Sequence, residues 1–170
     1  MFLFLSQLLF GWLLADLVSG ILHFGQDKMG SENTPFFAGI ITAGMSHHAD
    51  PEKFINSPLW YRNRHNVAGA VLFFIIASLL WGAKPWIYAA ALGGLLMIEI
   101  QVYAHRETNS RAIRFLQFTG IIQRPRQHAF HHSEDNRAYC AITSWLNPFL
   151  DKAGLWRWLH KITKRWHRKT

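Results

Sequence analysis

A single cysteine, Cys140, stands in a chain of 170 residues. That scarcity excludes an intrachain disulfide and any cysteine-based zinc site. Acidic residues are few as well: 10 Asp and Glu against 18 Lys and Arg leave a net charge of +8. Such a balance suits nucleic acid or an anionic membrane surface. No basic stretch precedes the first apolar run and no small-residue cleavage site follows it, so that run does not read as a signal peptide. The sequence shows no internal repeat, no low-complexity tract and no fused cytochrome or ferredoxin motif. It reads as one membrane-embedded domain over residues 1–170.

Apolar residues are abundant. They make up 50% of the chain, with 8 Trp and 13 Phe, and they are gathered in runs. Residues 1–24, 67–83 and 85–104 match the roughly 20 helical residues that a hydrocarbon core requires. Residues 35–45 are too few to span and read as a re-entrant or interfacial segment. A short stretch at 113–122 reads as interfacial. Residues 148–168 read as one amphipathic helix, with Leu155, Leu159, Ile162 and Trp166 on one face and Arg157, Lys161, Lys164 and Arg168 on another. Basic residues opposite Trp and Leu describe a helix lying on an anionic membrane. The expected fold is therefore all-α, with about three transmembrane helices.

Placement of the basic residues orients the spans. Of the 18 Lys and Arg, only Lys84 lies between the second and third spans. By the positive-inside rule the N-terminus and Lys84 face outward and the remainder faces the cytoplasm. The bacterial inner membrane is the expected location, and the basic excess then needs no nucleic acid.

The same topology sorts the histidines. His23 lies near the cytoplasmic end of the first span, His47 and His48 follow the interfacial segment, His65 precedes the second span, and His105 ends the third. His128, His131 and His132 belong to the cytoplasmic stretch beyond. Any one alone is better explained as a hydrogen-bonded structural residue. Eight at one depth, with two adjacent pairs, point to metal. On a helix His128 shares a face with both His131 and His132, while the adjacent pair is rotated apart and able to reach two ions. Neutral imidazole suits Zn, Cu, Fe and Ni. Eight ligands are too many for one ion, so two ions are expected, with oxygen available from Asp27, Asp50, Asn63 or Asn66. Asp16 is a costly ionisable residue within a span, and Glu99 and Gln101 lie near the end of the third. His160 and His167 fall on the basic helix and read as surface residues.

Several blocks taken in order resemble one family. They are DLVSGILH at 16–23, HHADP at 47–51, NRHN at 63–66, QHAFHH at 127–132 and YCAITSWLN at 139–147. The pattern is similar to the Kua family of membrane lipid desaturases, which includes plasmanylethanolamine desaturase and a plant plastid phosphatidylglycerol acyl desaturase. The resemblance covers roughly residues 12–152. It implies a di-iron centre of two Fe ions held by His23, His47, His48, His65, His105, His128, His131 and His132. Dioxygen would be the oxidant, and a separate cytochrome b5 or ferredoxin type of protein the electron donor. The product would be a double bond in a membrane lipid chain. Where members often carry a histidine four residues before the one matching His105, this chain has Gln101. Asp16, Asp27, Asp50, Asn63, Asn66, Glu99 and Gln101 would support the ligands. A lipid or alkane hydroxylase with the same iron site, and a non-catalytic haem- or metal-binding membrane protein, are the alternatives.

Overall fold

The computed structural model describes residues 1–29, 47–133 and 137–167. Among them the helices are α1 (Phe2–Met29), α2 (Pro51–Asn56), α3 (Leu59–Trp81), α4 (Pro85–His105), α5 (Arg111–Thr119), α6 (Pro125–Ser133), α7 (Leu146–Ala153) and α8 (Leu155–His167). No described residue forms a strand, so the class is all-α. Helices α1, α3 and α4 are each long and apolar enough to cross a membrane.

α4 packs against both α1 and α3. Between apolar helices in lipid there is little hydrophobic drive, so close approach at small residues must supply the attraction. The α1–α4 seam is built that way. A Cβ on Gly11 would stand 2.1 Å from the carbonyl oxygen of Trp86, and one on Gly93 would stand 2.6 Å from the Cβ of Ala15. Only glycine permits the first of these contacts. α3 contributes little of itself to the interior. Val71, Leu72, Ile75, Ile76 and Leu79 on it remain exposed, which is the surface expected against lipid.

The other described helices gather around the end where α1 carries His23 and α4 carries His105. Asp16 is fully buried in α1, and its carboxylate accepts from Ile142 N, Thr143 N and the Thr143 hydroxyl. One turn on, the Ser19 hydroxyl accepts from Ala141 N at 3.0 Å. Asn147 brackets Cys140, accepting from its N–H at 2.9 Å and donating to its carbonyl at 2.8 Å. Most N–H groups of the irregular segment 138–145 thus donate to side chains, and that of Ser144 to the Gly120 carbonyl, as a buried segment without a ladder requires. Phe24, Tyr139, Cys140 and Trp156 close a core over it, with Leu146, Leu150, Leu155 and Leu159 packed around.

Two expectations change. The second span begins at Leu59, eight residues before position 67. The polar residues Arg62, Asn63, Arg64, His65 and Asn66 therefore lie on the helix and not in a loop. Glu99 of α4 allows this: Arg62 meets it with two nitrogens at 2.8 and 2.7 Å, and Asn63 donates to it at 2.6 Å. The C-terminal amphipathic helix is two helices. Gly154 sits at φ 73° and donates to Asp151 O and Leu150 O, ending α7 in the left-handed conformation that glycine adopts at little cost. On α8 the packed side holds Trp156, Leu159 and Thr163, whereas Ile162 is exposed beside Trp158. The re-entrant segment expected at 35–45 lies outside the described residues.

Candidate metal centre

Four elements deliver the histidines to one place. α1 ends with His23 and, one turn on, Asp27. A helical turn at 47–49 carries His47 and His48. Asp50 fixes that turn onto α2 as its N-cap, accepting from Lys53 N at 3.0 Å. α4 ends in His105, and α6 presents His128, His131 and His132.

The side chains sort into two groups of four. His47, His105, His128 and His132 form one; His23, Asp27, His48 and His131 form the other. Within each group the ligand atoms all lie within 4.8 Å of one another. Each adjacent pair divides between the groups, because neighbouring residues of a helical turn point in different directions.

In the first group His128 Nε2 lies 2.8 Å from His105 Nε2, and His132 Nε2 lies 3.2 Å from both His47 Nε2 and His128 Nε2. In the second, His48 Nε2 is 3.2 Å from His23 Nε2, 3.3 Å from His131 Nε2 and 3.4 Å from a carboxylate oxygen of Asp27. Hydrogen bonding does not account for such convergence. A neutral imidazole nitrogen offers one proton or one lone pair, yet His48 Nε2 has three neighbours at hydrogen-bond distance. A cation does account for it. Bonds of about 2.0–2.1 Å in tetrahedral or octahedral arrangement set neighbouring donor atoms about 2.8–3.4 Å apart, the range of the contacts just given, while Asp27 stands farther, 3.6 Å from His131 Nε2 and 3.8 Å from His23 Nε2.

Tautomers agree. His23 Nδ1 lies 3.1 Å from Tyr139 O and His131 Nδ1 lies 2.8 Å from Arg137 O. A carbonyl only accepts, so each Nδ1 carries the proton and each Nε2 turns a lone pair inward. Such backing orients metal-ligating histidines. Burial, followed by the neighbouring histidines, pushes His47 down to about 2, His132 down to about 3, and His128 well below the usual imidazole range. All three are neutral at neutral pH, the form that binds metal.

The supporting residues have distinct placements. Asp16 holds the 142–143 backbone. Asp50 caps α2. Asn63 donates to Leu59 O and Glu99, and Asn66 donates to Gly94 O at 3.4 Å. Glu99 pairs with Arg62. Gln101 is buried one turn before His105. His65 stands apart: it is exposed on α3 and belongs to neither group. Asp27 is a member of the second group rather than a support to it, and its i+4 spacing from His23 is the pattern from which this was readable.

An open cavity of about 570 Å³ adjoins the first group. The lipid desaturase domain profile matches residues 12–169. The chain belongs to the lipid desaturase family. Among curated proteins, this family member is 29% identical over 154 residues to plasmanylethanolamine desaturase of Myxococcus xanthus, covering 85% of this chain and 55% of that protein. It is 29% identical over 160 residues to the chloroplastic fatty acid desaturase 4 of Arabidopsis thaliana, covering 89% and 49%. With plasmanylethanolamine desaturase 1 of Mus musculus the identity is 25% over 167 residues, covering 89% and 62%. The chain thus spans about half the length of the curated relatives it matches. No solved structure matches it significantly.

Proposed function

We propose that this lipid desaturase family member is a membrane-bound di-iron desaturase that inserts a carbon–carbon double bond into a lipid acyl or alkyl chain. The observation that carries this reading is the pairing of two four-donor groups, one all imidazole and one imidazole with a single carboxylate, at the end of the membrane-crossing helices. His47, His105, His128 and His132 would hold one iron and His23, Asp27, His48 and His131 the other. An iron pair supplies dioxygen activation strong enough to break an unactivated C–H bond. Hydrogen from two adjacent methylenes, with two electrons and two protons from outside, reduces one dioxygen to two waters and leaves the double bond.

The chain's own residues serve that reaction by holding the site. Tyr139 O and Arg137 O keep His23 and His131 in one tautomer and one orientation. Burial keeps His47, His128 and His132 neutral. The electrons come from a separate carrier of the cytochrome b5 or ferredoxin type. On the positive-inside rule the site would face the cytoplasm of a bacterial inner membrane, with the N-terminus outward. Phe149, Trp158 and Ile162 are exposed beside Lys152, Arg157 and Lys161, an arrangement suited to an anionic membrane surface.

The test is elemental analysis of detergent-purified protein together with its visible spectrum and the lipid profile of cells expressing it. Two irons per chain, no haem band and a new double bond are expected. A haem band, a single zinc, or an added oxygen in place of the double bond would overturn the reading.

A further inference from the structure

Among the described residues, the cavity beside the site touches one of the two four-donor groups and not the other. The cavity beside the site is walled by Pro51, Ala104, Pro125, Arg126, Ala129 and Ser133. His105, His128 and His132 of the first group also line it, and no member of the second group does. His23 and His131 are only 5% exposed and are backed by the carbonyls of Tyr139 and Arg137. His48 retains partial exposure but does not line the cavity.

The wall has the character of a hydrocarbon site. Two prolines, two alanines and the faces of imidazole rings make it mostly apolar, and its volume lies within the roughly 300–1,000 Å³ that small-molecule sites occupy. Arg126 is the one permanently charged side chain among the described wall residues, and it is exposed. From Arg126 to Ser133 the wall follows α6 for about 10 Å at the helical rise. The charge lies at the start of that length and His132 near its end. A lipid's polar end is therefore suited to the Arg126 end and its chain to the histidine end. The exposed Leu59, Trp60 and Tyr61 at the start of α3 are the kind of apolar and aromatic residues that mark a membrane interface.

We propose that one hydrocarbon chain of a membrane lipid lies in this cavity along α6 and meets only the His47–His105–His128–His132 group, with the His23–Asp27–His48–His131 group behind it. Ala129 and Ser133 set the width available to the chain. This rests on the desaturase reading for the identity of the metal but not for the binding of the chain.

The test uses detergent-purified full-length protein and a phospholipid bearing a diazirine midway along one acyl chain. Photolysis followed by peptide mapping is expected to place the label on residues 104–105 and 125–133. Ala129→Trp, at an exposed position, fills the cavity without entering the core, and is expected to abolish that label while bound metal and melting temperature stay at the parent values. Ser133→Leu is the second variant should Ala129→Trp misfold, with the same expectation. Separately, the Mössbauer spectrum of protein loaded with enriched iron is expected to show two distinct sites, only one of which shifts when unlabelled phospholipid is added. Label on the outer faces of α1 or α3, label undiminished in both variants, or an equal shift of both sites would overturn the proposal while leaving the desaturase reading standing. Failure of the protein to hold iron, with the label still on α6, would overturn the desaturase reading and leave the chain site standing.

Discussion

His131 and His132 are joined by one peptide bond, yet each belongs to a different four-donor group. His131 Nε2 lies 3.3 Å from His48 Nε2, and His132 Nε2 lies 3.2 Å from His47 Nε2. Single substitutions should therefore separate the two sites. His132→Ala is expected to remove metal from the His105 side, and His131→Ala from the Asp27 side. Each variant should retain close to one metal per chain and lose desaturation. Elemental analysis checks this, and the Mössbauer spectrum tells which site is left. Loss of both metals from either variant would mean the groups bind as one unit.

His65 provides the contrast. It lies in a block that resembles the family pattern, but it is exposed and outside both groups. His65→Ala is expected to keep metal content and product formation near the parent values. A loss of iron comparable with that of His132→Ala would place it among the ligands after all.

Asp16 is expected to be a stability residue. Its carboxylate accepts three hydrogen bonds from Ile142 and Thr143 while fully buried. Asp16→Ala leaves those donors without a partner, at about 1–3 kcal/mol for each group so stranded. Asp16→Asn retains one acceptor oxygen and should cost less. Thermal unfolding in detergent should rank the melting temperatures as parent, Asp16→Asn, Asp16→Ala, with iron falling in parallel because the same segment carries Tyr139 O onto His23.

The Arg62–Glu99 pair joins α2, α3 and α4. Besides meeting Glu99, Arg62 donates to Ile55 O at 3.1 Å and Ser57 O at 2.7 Å. The same short helix carries Phe54, whose ring lies 5.2 Å from that of His47. Arg62→Ala should loosen the 50–57 segment and weaken metal retention at the His47 group before the His23 group. A double-mutant cycle with Glu99→Gln should show a coupling of about 0.5–3 kcal/mol, as contacting residues do. Additive effects would mean that the pair is not a joint.

Cys140 should be chemically silent. It is fully buried, and burial pushes its thiol up, away from the reactive thiolate. A maleimide reagent is expected to leave the folded protein unlabelled and to modify it once in denaturant. Rapid labelling of the native state would show that the 138–145 segment opens readily.

What the sequence by itself determined is what local pattern and composition can carry. Uninterrupted apolar runs require helices that cross a membrane, since only internal hydrogen bonding satisfies a backbone in lipid. The distribution of Lys and Arg carries an expectation for their orientation, and the positions of histidines at the ends of runs carried the expectation of one cluster, which seven of them form. The rotation between adjacent residues was enough to expect that His131 and His132 would part. Tertiary structure decided the rest, because it depends on contacts between residues far apart in the chain. Arg62 and Asn63 read as loop until Glu99, more than thirty residues on, is seen to satisfy them on a helix. Asp16 read as a costly charge within a span, and only the fold shows that its carboxylate accepts from the backbone of 142–143. The division of the donors into two groups, the place of Asp27 in one of them, and the exclusion of His65 depend on where α4, α6 and the 47–49 turn meet in space. No spacing along the chain encodes that meeting point.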